Sequence, residues 1–210
     1  MKNHPTYPYH YAWVAPRISR WMLIVLLSLT STVVSHAQVD VFIRFLKDSR
    51  GDAFPGESDD SVYMSTEGWC RIKSFSLGAE LTSPTLVGGG GASRKVRSIA
   101  LDIGKEVNGI SPTIFLTMAK GVGFKKMEMV LRKQGARSGE AYLKYEFLGV
   151  LPIRQNWAGG EDELIETIRF EYEALRMTVR SQSATGELGA PVVVEWDLKH
   201  NKAGFESASQ

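Results

Sequence analysis

The chain has 210 residues, 43% of them hydrophobic and 23% charged, with a formal net charge of +2. That balance excludes a disordered or fibrous chain, and the length points to one domain that buries its own core without staples. A single cysteine, Cys70, excludes an internal disulfide.

The first 37 residues stand apart. They hold Lys2, Arg17 and Arg20 and no acidic residue, and an apolar run from Trp21 to Leu29 follows directly. Small polar residues then lead to Ser35-His36-Ala37, with small side chains at the −3 and −1 positions of a signal-peptidase site. Even extended to Val34, the run is too short and too rich in Ser and Thr for a stable membrane span of about 20 residues. A secretory leader over 1–37, cleaved after Ala37, is the expectation; an uncleaved anchor is the rival. Downstream of it the chain has 22 basic and 23 acidic residues, a formal charge of −1. The basic balance therefore belongs to the leader and gives no footprint for nucleic acid.

The expected domain covers 38–204. Val39, Val41, Ile43 and Phe45 alternate with Asp40, Phe42, Arg44 and Leu46, the period of a strand. Residues 47–61 read as a polar loop. Trp69 to Leu81 reads as one strand, with Trp69, Phe75, Leu77 and Leu81 as core candidates. A long loop from Ser83 to Ala92 carries Pro84 and four consecutive glycines, Gly88 to Gly91. Ile99, Leu101 and Ile103 alternate again.

One short helix is expected next. Ser111 is placed as its N-cap, Pro112 as its first residue and Gly121 as its end, with Ile114, Phe115 and Met118 on the apolar face. Two further alternating runs follow, Met127 to Leu131 and Leu143 to Leu151. Gly135 and Gly139 between them suggest a hairpin. Glu163 to Arg180 fits a helix, or a strand whose apolar phase changes near Ala174 through a bulge or a crossing between barrel faces. Pro191 to Leu198 reads as the last strand, and residues 205–210 as a disordered tail.

Chemistry-bearing residues are sparse. After the leader only His200 remains, so neither a Ser-His-Asp set nor a metal cluster can be drawn. Cys70, between Trp69 and Arg71, reads as a buried apolar side chain. Glu161, Asp162 and Glu163 are too close in sequence to converge across a cleft as paired carboxylates. Gly88 to Gly91 lack the Gly-Lys-Ser/Thr ending of a phosphate loop. The basic residues Arg94, Lys95, Arg97, Lys125, Lys126, Arg132, Lys133 and Arg137 read as a solvated or inter-subunit face rather than a binding stripe. No cofactor is expected.

A series of local features runs through the chain in order. Val41-Phe42-Ile43 comes first, then Gly88-Gly89-Gly90-Gly91-Ala92, Ile99-Ala100-Leu101, Ser111-Pro112 and Lys120-Gly121. Met127 to Lys133, Tyr142 to Val150, Gly159-Gly160-Glu161-Asp162, Ile168-Arg169-Phe170-Glu171-Tyr172 and Glu195-Trp196-Asp197 complete it. The series is similar to the Hcp family of type VI secretion, over about Val39 to Leu198. The resemblance implies a mainly β fold: a compact β-barrel of two packed antiparallel sheets with one short flanking α-helix, and strand at Phe170–Tyr172. It also implies a structural subunit without catalytic residues, assembling with itself as stacked hexameric rings, with spike, sheath and effector proteins as further partners. The arm reaching a neighbouring subunit or ring would be Pro84, Gly88, Gly89, Gly90, Gly91 and Ala92. Tube proteins of that family are generally assembled in the cytosol without a leader, so the 1–37 segment implies an exported relative or a start placed too far upstream. The reading from another class is an exported β-barrel hydrolase or carbohydrate-binding protein, which requires a deep pocket with converging polar groups.

Overall fold

The computed structural model describes residues 38–48, 51–82, 95–133, 139–160, 163–183 and 186–205, all within the unit Ala37–Gln210. The expected leader at 1–37 and the tail at 206–210 lie outside them. Among these described residues nine strands form in chain order: β1 (Val39–Leu46), β2 (Cys70–Ile72), β3 (Ser74–Thr82), β4 (Lys95–Glu106), β5 (Phe124–Lys133), β6 (Leu143–Gly159), β7 (Leu164–Glu171), β8 (Ala174–Gln182) and β9 (Leu188–Asp197). One helix, α1 (Ser111–Ala119), joins β4 to β5. Every pairing is antiparallel. Among the described residues no helix is long and apolar enough to cross a membrane.

The pairings run β2-β1-β5-β6-β7-β4-β3. β2 and β3 are separated by Lys73 alone, so the circuit returns on itself. The expected single strand over 69–81 is thus two short ones, broken where the Lys73 N–H crosses to the Gly104 carbonyl at 2.8 Å. The pairings divide into two sheets, one of β2, β1, β5, β6, β8 and β9 and one of β6, β7, β4 and β3, so β6 belongs to both. Its first half pairs β5 on one edge and β8 on the other, and its second half pairs β7. β7 and β8 follow one another along the same edge of β6, so strand, not helix, occupies the ambiguous 163–180 segment.

The apolar phase of that segment does change, and β6 changes with it. Ile168, Phe170 and Tyr172 point inward on β7 and beyond, whereas Leu175 packs on the core from β8. Opposite, Phe147 and then Val150 are the inward residues of β6. Between them Gly149 takes φ +59°, a conformation costly for any residue with a Cβ. A Cβ there would also lie 2.7 Å from Cγ of Glu173. This is the expected crossing between barrel faces, carried by both strands at once.

Aromatic side chains fill the interior. The Phe45 ring stands 4.6 Å from Phe124 and 5.7 Å from Phe170, and Phe147 meets Tyr172 edge-on at 4.9 Å. Phe75 and Leu77 pack against this core from β3, while Leu81 is exposed, contrary to expectation, because it lies beyond the end of β7. Trp69 is buried, but in a second cluster with Phe42 and Val130 on the outer face.

The helix departs from expectation at its start and on its face. Ile110 occupies the N-cap position, and Ser111 is already helical, with its hydroxyl turned into a buried polar cluster. Phe115 is 48% exposed; of the helix only Ser111 and Ile114 are buried. The end is as expected. Gly121 at φ +65° donates to the Met118 carbonyl and Val122 to the Thr117 carbonyl, a Schellman closure.

Candidate assembly surfaces

Among the described residues β9 is an edge strand that pairs β8 alone. Its centre reads Pro191-Val192-Val193-Val194, and those three valines are 67%, 50% and 55% exposed, on alternating faces. The register explains why. Ile43, Met129, Tyr145, Met177 and Val194 stand opposite one another in a single row across β1, β5, β6, β8 and β9. Ile43 and Met129 are fully buried, Tyr145 and Met177 half-buried, and Val194 exposed. The inner apolar face of the sheet therefore continues past the end of its own core. A long edge of this kind, apolar and with unpaired backbone groups, is a template for another strand.

The second edge among the described residues is β3, which pairs β4 alone there. Its last residue, Thr82, stands opposite Lys95, the first of β4. The arm residues Pro84, Gly88 to Gly91 and Ala92 belong to the segment joining these two positions and lie outside the described residues.

The opposite face of the large sheet is built of charge. Arg44, Glu128, Glu146, Arg176 and Glu195 form another straight row across the same five strands. Arg44 meets Glu128 at 2.7 Å and Arg176 meets Glu195 at 2.6 Å. Lys126 lies 2.8 Å from Glu128 and 2.6 Å from Glu146; Lys144 lies 3.1 and 3.5 Å from the same two. Burial pushes the Glu128 carboxyl up, but Lys126, Lys144 and Arg44 outweigh it and hold the group down at about 2. Further along, Arg132 bridges Asp40 at 3.0 Å and Asp60 at 2.5 Å and holds Asp60 well below the usual carboxylate range. Of the basic residues read as a possible stripe, Lys126 and Arg132 are thus paired with acids, and Arg97 lies 3.8 Å from Glu80. Arg94 and Arg137 lie outside the described residues.

The remaining candidates have structural settings. Cys70 is buried, and burial pushes its thiol up, away from the reactive thiolate. The His200 ring lies 2.6 Å from the buried Asp197 carboxylate and closes the turn after β9. Glu163 is half exposed and paired with Lys73, while Glu161 and Asp162 lie outside the described residues. Two surface hollows, of about 480 and 400 Å³, have strongly charged walls: Glu80, Arg97, Arg169 and Glu171 in one, Glu57, Asp59, Arg71 and Lys73 in the other. Neither has the apolar lining of a small-molecule site.

Sequence reasoning missed one set. Lys105 and Glu166 are both 0% exposed and 2.6 Å apart. Lys105 Nζ also donates to Asn108 Oδ1 at 2.6 Å and to the Glu106 carbonyl at 2.8 Å. The Ser111 hydroxyl donates to Glu166 Oε1 at 2.5 Å, and Gln155 Nε2 to Glu166 Oε2 at 2.8 Å. The signal was present in the alternation. Lys105 continues the inward series Leu101, Ile103, and Glu166 precedes Ile168 and Phe170 in the same phase.

Comparison with known proteins places this architecture among related chains. Residues 44–179, well over half of the chain, match the family described as "Type VI secretion system effector, Hcp". Protein hcp1 of Pseudomonas aeruginosa is 26% identical over 110 residues, covering 51% of this chain and 68% of that protein. A solved type six secretion system protein superposes with a TM-score of 0.68 at 23% identity, covering 80% of this chain and all of the other. Hcp1 from Salmonella typhimurium gives a TM-score of 0.62 at 23% identity, covering 79% and 98%. A type VI secretion system effector from Yersinia pestis gives 0.54 at 20% identity, covering 75% and 99%. The structural likenesses are likenesses of fold.

Proposed function

We propose that this chain, which belongs to the Hcp family of type VI secretion proteins, is a structural subunit that closes with copies of itself into a six-membered ring. The observation that carries the proposal is the row from Ile43 to Val194, which delivers the apolar inner face of the sheet to an unpaired strand edge. A head-to-tail contact made at that edge repeats by rotation and closes. Stacked rings form a hollow tube, with room in the lumen for effector proteins, and sheath and spike are its partners in the machine. The segment between Thr82 and Lys95, with Pro84, Gly88 to Gly91 and Ala92, is the arm that docks on a neighbouring subunit or ring. Such an arm contributes backbone contacts rather than a core and loses entropy on assembly.

The filled core supports this reading over a hydrolase or carbohydrate-binding protein, because among the described residues the interior is packed with side chains such as Phe45, Phe124, Phe147 and Phe170. Native mass spectrometry and electron microscopy of the purified protein test it: hexameric rings are expected, and a monomer at every concentration overturns it.

Residues 1–37 act as a cleaved export leader in this proposal, so the working protein begins at Gln38. N-terminal sequencing of the exported product reads this directly; a product that still begins at Met1 overturns it.

A further inference from the structure

The geometry points to a separately opening unit: Val107 to Val122, the turn–helix–turn segment carrying α1, is latched to the barrel by the buried Lys105–Glu166 pair and can release while the strands stay paired. The first observation is what the helix lacks. It has nine residues, no acidic residue in its first turn, no basic residue in its last and no side-chain cap at Ile110. Isolated helices this short do not hold themselves in water. Its apolar hold on the barrel is small, with Ile110 and Ile114 in the core, whereas Phe115 and Leu116 face outward.

The second observation is where the remaining hold comes from. Glu166 receives the Ser111 hydroxyl, and Gln155 Nε2 bridges Glu166 and the Ser111 carbonyl. The Asn108 N–H donates to Ser111 Oγ at 3.0 Å, and Lys105 grips the Asn108 side chain. Gly109 N–H donates to the Glu57 carboxylate at 2.8 Å. Strands β4, β6 and β7 and the 57 loop thus reach the helix start chiefly through charged or polar atoms. The circuit of strands does not pass through α1, which only connects β4 to β5, so its release breaks a single backbone bond between strands, from the Val107 N–H to the Leu164 carbonyl at 3.3 Å, and leaves the paired registers intact.

The third element is the sign of the pair. Taking two ions out of water is costly, and removing one partner strands the other. Release of the helix lets water reach both, so the cost of keeping the pair dry offsets part of what its hydrogen bonds to Asn108 and Ser111 contribute. The latch is therefore weak as built, and places this segment at the low-stability end of the molecule.

Hydrogen exchange on the full chain tests the inference. In Glu166→Ala, the amides from Ile114 to Val122 should exchange at least about tenfold faster, with those of β1 and β5 unchanged. In the double variant Lys105→Met, Glu166→Leu, which removes the hydrogen bonds to Asn108 and Ser111 without stranding a charge, the same helix amides should exchange faster than in the parent but clearly more slowly than in Glu166→Ala. If Glu166→Ala fails to fold, Ser111→Ala is read by the same criterion, with a smaller acceleration confined to the helix. Equal acceleration across all strands, no acceleration in the helix, or a double variant as labile as the single one would each overturn the inference.

Discussion

Glu128 and Glu146 stand directly opposite each other on β5 and β6, and the same two lysines, Lys126 and Lys144, reach both. Two like charges at such a pairing repel. Here four cations surround them, with Arg44 on Glu128 and Arg176 within 3.5 Å of Glu146. The row is thus an ordered lattice, and its value depends on both carboxylates being ionised.

Acid should therefore destabilise the subunit in a defined window. Glu128 titrates at about 2 in the folded chain against an ordinary value of 4.5, so its contribution is complete above the ordinary value and is lost as pH falls toward the lower one. The loss is on the order of 3 kcal/mol. Melting temperature measured from pH 6 down to pH 2 should fall across this window, with a shallower fall in Glu128→Gln, which is already less stable at neutral pH. An equal pH slope in both proteins would show that the lattice contributes nothing.

Gly149→Ala should cost about 1–3 kcal/mol, because it meets both the positive φ and the Glu173 side chain. Adding Glu173→Ala should recover the steric part and leave the conformational part. Urea denaturation of the two single variants and the double variant separates them, and simple additivity would remove the contact from the explanation.

Phe147→Ala and Phe115→Ala should differ sharply. Phe147 is fully buried, and its truncation should cost about 3–5 kcal/mol. Phe115 only rests against Trp157, with ring centres 6.0 Å apart, and its truncation should cost about 1 kcal/mol or less. Similar losses in equilibrium unfolding would return Phe115 to the core.

Val194→Lys on β9 should leave the melting temperature of the subunit within a few degrees and abolish the proposed ring formation in light scattering. The valine is exposed and half-surrounded by water, so surface rules apply to the isolated fold. Deleting Pro84 to Ala92 should likewise spare the fold and weaken assembly. Rings that persist in the lysine variant would move the interface elsewhere.

Much of this architecture was legible from alternation. Val41, Ile43 and Phe45 declared β1, whereas the change of phase around Ala174 fitted a helix as well as a strand with a bulge or a crossing, and only the family resemblance favoured strand. Alternation also placed Lys105 and Glu166 inward, but a period of two reports a face and not a partner. Their pairing depends on β4 and β7 lying side by side, residues distant in sequence. The helix misled for a related reason. Ser111-Pro112 matches the chemistry of a cap, yet tertiary hydrogen bonds with Glu166 and Lys105 claimed the hydroxyl first. Phe115 fits the helical period, but a nine-residue helix laid across a barrel needs only one contact stripe, and Ile114 supplies it. The open edge at β9 had one signal, Pro191, which has no N–H to donate to a further strand, whereas Val192 to Val194 look alike in a central or an outer strand.

One strand, β6, serves both sheets, and that has a mechanical corollary. Traction applied at β9 passes through β8 into the first half of β6, and along the same backbone to β7 and β4. The two halves share this strand, so a load on one is carried by the other. A chain wired this way is expected to rupture in one step under pulling.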